Sequence, residues 1–165
     1  MLYEEVFKSF ESAGIRYLVV GGIAVNLHGY ARLTVDLDLM LDLSQENLLK
    51  VIQVMESLGY APRVPVNARD LASDKTRDRW KKEKGALVFT FVDSKAPFRQ
   101  VDIFLENPID FDQAHARRTP FELKGITVPA ASIDDLIQLK SAAGRPRDRE
   151  DIHHLQEIKR QKGSS

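Results

Sequence analysis

Asp36 and Asp38 stand one residue apart in the alternating stretch Val35-Asp36-Leu37-Asp38-Leu39, and that spacing is the first chemical signal in the chain. Strand side chains repeat every two residues, so both carboxylates fall on one face, with Asp42 further along it. Val35, Leu37, Leu39 and Leu41 point the other way. Like charges held side by side repel unless a cation lies between them. Mg²⁺, or Mn²⁺, with its oxygen ligands and attached nucleotide phosphates, answers that requirement. Upstream, the apolar run Tyr17 to Val20 enters Gly21-Gly22 and then a short apolar helix. A glycine pair lets the backbone turn and be approached closely, and the free N–H groups of a helix start attract an anion. The expectation is a phosphate loop at Gly21 and Gly22 joined to a metal site.

A third acid lies in Gln100-Val101-Asp102-Ile103-Phe104-Leu105. A strand acid commonly faces water. Placed beside the first acidic strand, Asp102 instead completes a trio around one or two cations, the arrangement that aligns an attacking hydroxyl with a nucleoside triphosphate. Arg32, just ahead of the acidic strand, is positioned either to reach the triphosphate or to pair with the acids. Lys140 falls on the apolar face of a helix set by Ile133, Leu136 and Ile137, where a cation is unusual. It pairs with Asp148 or Asp151 of the next helix, or it reaches the cleft.

The elements that must position these residues follow from periodicity. An amphipathic helix over Leu2 to Ala13 precedes a strand from Ile15 to Val20, and the short helix after the glycines ends near Gly29. The acidic strand runs from Val35 to Asp42. Ser44 caps a helix that closes at Gly59, residues 61–66 form at most an edge strand, and Arg69 to Lys84 is a charged surface helix or ordered loop. Ala86 to Val92 and Gln100 to Leu105 read as an antiparallel hairpin, and Phe121 to Val128 as a smaller one. Ser132 caps a helix to Ala143, and Pro146 starts a last one that reaches about Lys159, leaving 161–165 as a loose tail.

With 165 residues and 43% apolar content, the chain has material for one domain over 1–165, with a helical C-terminal part over 132–160. Its 24 basic and 24 acidic residues cancel, which removes a global nucleic-acid or membrane footprint, although a basic middle follows an acidic start. No cysteine is present, so disulfides and thiolate zinc sites are excluded. A cytoplasmic protein without membrane attachment is expected. His28 reads as a capping or surface histidine. His153 and His154, being adjacent, point apart and cannot chelate one metal. The cations around Trp80 read as a solvated helix face ahead of an RNA contact.

The ordered set Gly21-Gly22, Asp36-Leu37-Asp38 and the later Asp102 resembles the polymerase-β superfamily of nucleotidyltransferases. Arg32-x-Thr34-x-Asp36-x-Asp38, Ile133-Asp134-Asp135-Leu136-Ile137-x-Leu139-Lys140 and Gly144-Arg145-Pro146-x-Asp148-x-x-Asp151 are similar to the small AbiEii-like members. The likeness spans nearly the whole chain. It implies an α+β fold, a mixed sheet with flanking helices, a divalent metal, and transfer of a nucleotide from a triphosphate to an acceptor. By that resemblance Asp36 and Asp38 hold metal, Asp102 completes the site or acts as base, Gly21-Gly22 hold phosphates, and Lys140 reaches the triphosphate or acceptor. Many relatives have serine as the second loop residue, so a hydroxyl contact to phosphate is missing here. The acceptor is RNA (tRNA among the candidates), a protein or a small molecule, and a cognate antitoxin is a further implied partner. The alternative is a nucleotide- or partner-binding module with weak catalysis on the same fold.

Overall fold

Tyr17–Val20 (β1) is buried at every position, as a central strand covered on both faces must be. Its antiparallel neighbour Leu37–Leu41 (β2) buries every residue except Asp38, which is partly covered. The computed structural model describes residues 1–163. On the far side of β2 lies Gln100–Phe104 (β5), parallel to it, with Asp38 opposite Asp102. Val88–Asp93 (β4) pairs antiparallel with β5, as the hairpin pattern predicts, and Tyr60–Pro62 (β3) forms the edge. At the other end, the hairpin Thr119–Leu123 (β6) and Ile126–Ala130 (β7) joins the same sheet, because β7 runs parallel to β1. The order β3-β4-β5-β2-β1-β7-β6 is therefore one mixed sheet of seven strands among the described residues.

Helices Glu4–Ala13 (α1) and Gln45–Ser57 (α3) pack together, and α3 begins where the Ser44 hydroxyl accepts from the Asn47 N–H. Gly21–His28 (α2) follows β1 without a break. The charged stretch resolves into a 3₁₀ turn at Ala68–Ala72 and a helix at Asp74–Lys84 (α4). Its Trp80 stacks on Phe89, and Arg77 turns inward to donate to the Leu71 carbonyl. Ile133–Ala143 (α6), capped by Ser132, and Pro146–Gly163 (α7) pack against each other and against α2.

Four expectations change. The acidic strand is shorter than Val35 to Asp42: Val35 and Asp36 precede it, and Asp42 turns away to pair with Arg16. The last helix continues past Lys159 to Gly163, so residues 161–163 are helical rather than loose, and the expectation for Ser164 and Ser165 lies outside the described residues. His28 is buried, not a surface residue. Its Nε2 lies 2.8 Å from the Ala131 carbonyl oxygen and its ring meets the Phe121 edge, because β6 and β7 fold over the end of α2. A helix at Phe111–Ala116 (α5), capped by Asp110, adds to the expected elements, since six residues give too little periodicity to read. No helix of the described residues is long and apolar enough to cross a membrane.

Candidate active site

A cleft of about 510 Å³ opens at the end of β1, in the size range of a small-molecule site. Asp36, Asp38 and Asp102 all line it, together with Gly21 and Gly22. The parallel register of β2 and β5 sets Asp38 beside Asp102 on one face, at strand spacing. Asp36, just ahead of β2, is held from below by Tyr3. That phenol donates to the Val35 carbonyl at 2.6 Å, and the Gln100 N–H donates to it at 3.0 Å, tying the approach to β2 to the start of β5. Burial above all pushes the Tyr3 phenol up to about 12, so it stays a donor. Asp102 is oriented by the Thr90 hydroxyl, which donates to its Oδ1 at 2.6 Å.

Charge is concentrated here without neutralisation. Burial, then the neighbouring charges of Asp102 and Asp36, push the Asp38 carboxyl up to about 7, against the pull of Lys140 and Arg145. Asp36 is raised in the same way, by burial and by Asp102. Hard oxygen donors carrying excess negative charge fit Mg²⁺ or Mn²⁺. Among the described residues no three acids or histidines lie close enough together to hold an ion as they stand.

The glycines have distinct jobs. Gly21 has φ +69°, and a Cβ there would lie 2.1 Å from Asp38 Oδ2, so the carboxylate of Asp38 rests directly on the loop. Gly21→Ala combines a left-handed residue with overpacking, and should cost about 2–4 kcal/mol. Thermal melting should show that loss, and turnover should fall with it as Asp38 is displaced. Gly22 faces the Tyr30–Asp36 segment, where a Cβ would lie 2.6 Å from Thr34 Oγ1 and 2.8 Å from Arg32 Nη2. A side chain at 22 therefore pushes Arg32 aside before it meets any phosphate. Gly22→Val should weaken triphosphate affinity at least tenfold in calorimetry; an unchanged affinity would leave Gly22 a packing role alone. No side chain caps the start of α2, leaving its first N–H groups free at the cleft.

The opposite wall is basic. Lys140, 6% exposed, lines the cleft with its ammonium 2.7 Å from Asp151 Oδ2 and 3.5 Å from Asp148 Oδ1. Arg32 Nε stands 2.9 Å from Asp151 Oδ1, so its acid partner is on α7 rather than among the three cleft acids. Arg145 grips Asp148 with Nε at 2.7 Å and Nη2 at 3.2 Å. Although burial opposes it, those Arg145 hydrogen bonds and the nearby Lys140 hold the Asp148 carboxyl below its ordinary range. Two nearly inaccessible acids thus anchor three cations, and Arg147, which donates to the Leu33 carbonyl, adds a fourth. Asp148 and Asp151 face inward as helical spacing predicts. Arg145 and Arg147 also line the cleft, although sequence reasoning does not single them out as site residues; the Gly144-Arg145-Pro146 pattern is the available signal.

The chain matches, over residues 7–163, the family model described as nucleotidyl transferase AbiEii toxin, type IV toxin–antitoxin system. No curated protein matches it. Among solved structures it is similar to the lincosamide antibiotic adenylyltransferase LnuA with lincomycin bound, at 19% identity and TM-score 0.61, covering 94% of this chain and 96% of that one. It is also similar to ANT(2")-Ia in complex with adenylyl-2"-tobramycin, at 13% identity and TM-score 0.58 over 93% and 84% of the two chains. An antigenic nucleotidyltransferase-like protein from Paracoccidioides brasiliensis aligns at 17% identity and TM-score 0.55, over 93% and 71%. At these identities the structural likeness speaks for the fold.

Proposed function

The chain belongs to the AbiEii nucleotidyl transferase family, and from that premise we propose that it moves a nucleoside monophosphate from a triphosphate to an acceptor hydroxyl in a divalent-metal-dependent reaction. The observation that supports this most is the single cleft with three un-neutralised carboxylates on one wall and four cations on the other. Asp36 and Asp38 would hold Mg²⁺ or Mn²⁺, with Asp102 completing the set; the bound ion supplies neutralisation of phosphate charge. The N–H groups at Gly21-Gly22, with Arg32, Lys140 and Arg145, bind the triphosphate. The acceptor oxygen bonds to the α-phosphorus, the bond to the bridging oxygen breaks, and pyrophosphate leaves. Where Asp102 acts as base instead of ligand, its carboxylate, with Oδ1 accepting from the Thr90 hydroxyl, takes the hydroxyl proton.

The acceptor class is RNA, protein or small molecule. The family description supports a toxin role opposed by an antitoxin, with the cytoplasm as its setting in this reading. Purified protein incubated with α-labelled nucleoside triphosphates, Mg²⁺ and total RNA or lysate should move label into an acceptor fraction and release pyrophosphate. Triphosphate binding with no transfer into any fraction would instead favour a binding module on this fold. Induced expression should arrest growth if the toxin role holds; unimpeded growth with active enzyme present would remove it.

A further inference from the structure

Arg32, Thr34, Asp36 and Asp38 recur at every second position and all line the cleft, and Thr34 alone of the four carries no charge. It belongs to the strap between α2 and β2, residues 30–36, which is neither helix nor strand. The strap is irregular but pinned. The Arg32 N–H donates to Asn26 Oδ1 at 3.1 Å, and the Leu33 carbonyl accepts from Arg32 Nη1 at 3.2 Å and from Arg147. On the other side of Thr34, the Val35 carbonyl accepts from the Tyr3 phenol at 2.6 Å. Both neighbours of Thr34 are therefore held through their carbonyls, and its own side chain is β-branched and stiff at χ1. A hydroxyl presented from so fixed a backbone loses little freedom when it engages a ligand.

That hydroxyl lies against the glycine loop. A Cβ on Gly22 would stand 2.6 Å from Thr34 Oγ1 and 2.8 Å from Arg32 Nη2, so the two side chains share the space that a residue at 22 would fill. Thr34 is half-buried, yet among the described residues its hydroxyl has no hydrogen-bond partner. Next to it are the uncapped first N–H groups of α2 and the Arg32 guanidinium. Backbone donors, a guanidinium and a free hydroxyl gathered at one point are complementary to a phosphate group. Resting on the nucleotidyl-transfer reading, we infer that Thr34 is a binding residue whose Oγ1 donates a hydrogen bond to a phosphate oxygen of the bound triphosphate. The strap thus supplies the side-chain hydroxyl that Gly21 and Gly22 lack. Gly22 stays bare because Thr34 and Arg32 occupy its open side.

Calorimetry with Mg²⁺ and each of ATP, GTP, CTP and UTP tests this. Thr34→Val keeps the shape and removes the donor. A hydrogen bond to a charged group is lost, so affinity should fall at least tenfold, and by the same factor for every triphosphate that binds, because the contact is to phosphate and not to base. Thr34→Ala should bind as weakly as Thr34→Val, which separates the missing hydroxyl from obstruction by the added methyl. Thr34→Ser should stay within about threefold of wild type, since it restores the donor. Melting temperature of the ligand-free Thr34→Val protein should be unchanged, because the hydroxyl has no partner within the protein to lose. Wild-type affinity in Thr34→Ala or Thr34→Val, or an affinity in Thr34→Ser as low as theirs, overturns the assignment. Affinity lost in step with melting temperature overturns it too, in favour of a hydroxyl that holds the strap. Triphosphate bound equally by wild type and Thr34→Val defeats the Thr34 contact alone, whereas a wild type that binds none of the four defeats the nucleotidyl-transfer reading and this contact with it.

Discussion

Asp38→Asn should abolish nucleotide transfer and, in the metal-free protein, raise stability above neutral pH. The loss follows if Asp38 is a metal ligand, since an amide is a far poorer partner for a hard divalent ion. The gain follows from the carboxyl's pKa, raised from 3.8 to about 7 by burial and by the charges of Asp102 and Asp36. A carboxyl whose folded value lies above its unfolded value binds its proton more tightly in the fold. The cost of ionising it is therefore absent below about pH 4, grows as pH rises toward 7, and is complete above that. A rise of that size corresponds to roughly 4 kcal/mol at most. Asparagine escapes the cost, so the difference between variant and wild type should be near zero at about pH 4 and reach on the order of 2–4 kcal/mol at about pH 8. Thermal denaturation across that range measures it. Adding Mg²⁺ at the alkaline end should raise the wild-type melting temperature more than the variant's. A variant less stable than wild type there would mean that the carboxylate's contacts at Gly21 outweigh the repulsion.

The parts of this site that are legible in the sequence are those set by local periodicity. The two-residue repeat around Asp36 and Asp38, the Gly21-Gly22 turn, and the caps Ser44 and Ser132 each depend on neighbours a few residues away. Asp102 is legible because a lone acid in an apolar strand asks for a reason, and the β2–β5 pairing places it beside Asp38. What is not legible depends on contacts between distant segments. Nothing near Gly21 announces that Asp38 lies against it, and Arg32 reads as a triphosphate contact or a partner of the cleft acids, with no local signal that Asp151, on α7, is the acid that holds it. Arg145 and Arg147 flank Pro146 at a helix start, where cations oppose the helix dipole and carry no amphipathic signal. Their place on the cleft wall follows from α6 and α7 packing against α2. His28 looks like a surface cap because the strands that bury it lie about a hundred residues downstream.

Lys140→Met should lower both stability and turnover, because the structure gives this one ammonium two positions at once: inside an ion-pair cluster and on the cleft wall. Methionine keeps the stem's bulk and removes the charge, leaving Asp148 and Asp151 short of one cation while nearly inaccessible. Breaking a buried pair in this way costs about 3–5 kcal/mol when the acid is stranded. Here neither acid is stranded. Asp151 keeps Arg32 at 2.9 Å and Asp148 keeps Arg145 at 2.7 Å, so the loss should be smaller, about 2 kcal/mol. Turnover needs a separate control, since a loosened cluster also releases Arg32. Asp151→Asn alone retains Lys140 and tests how far Arg32 depends on its acid. The double variant Lys140→Met/Asp151→Asn removes one charge of each sign and should recover most of the stability lost by Lys140→Met. If Lys140 contacts the triphosphate, the double variant stays inactive while Asp151→Asn keeps measurable turnover. Recovery of turnover together with stability in the double variant would reduce Lys140 to a structural ion pair. Triphosphate binding would then rest on Arg32, Arg145 and the free N–H groups at the start of α2.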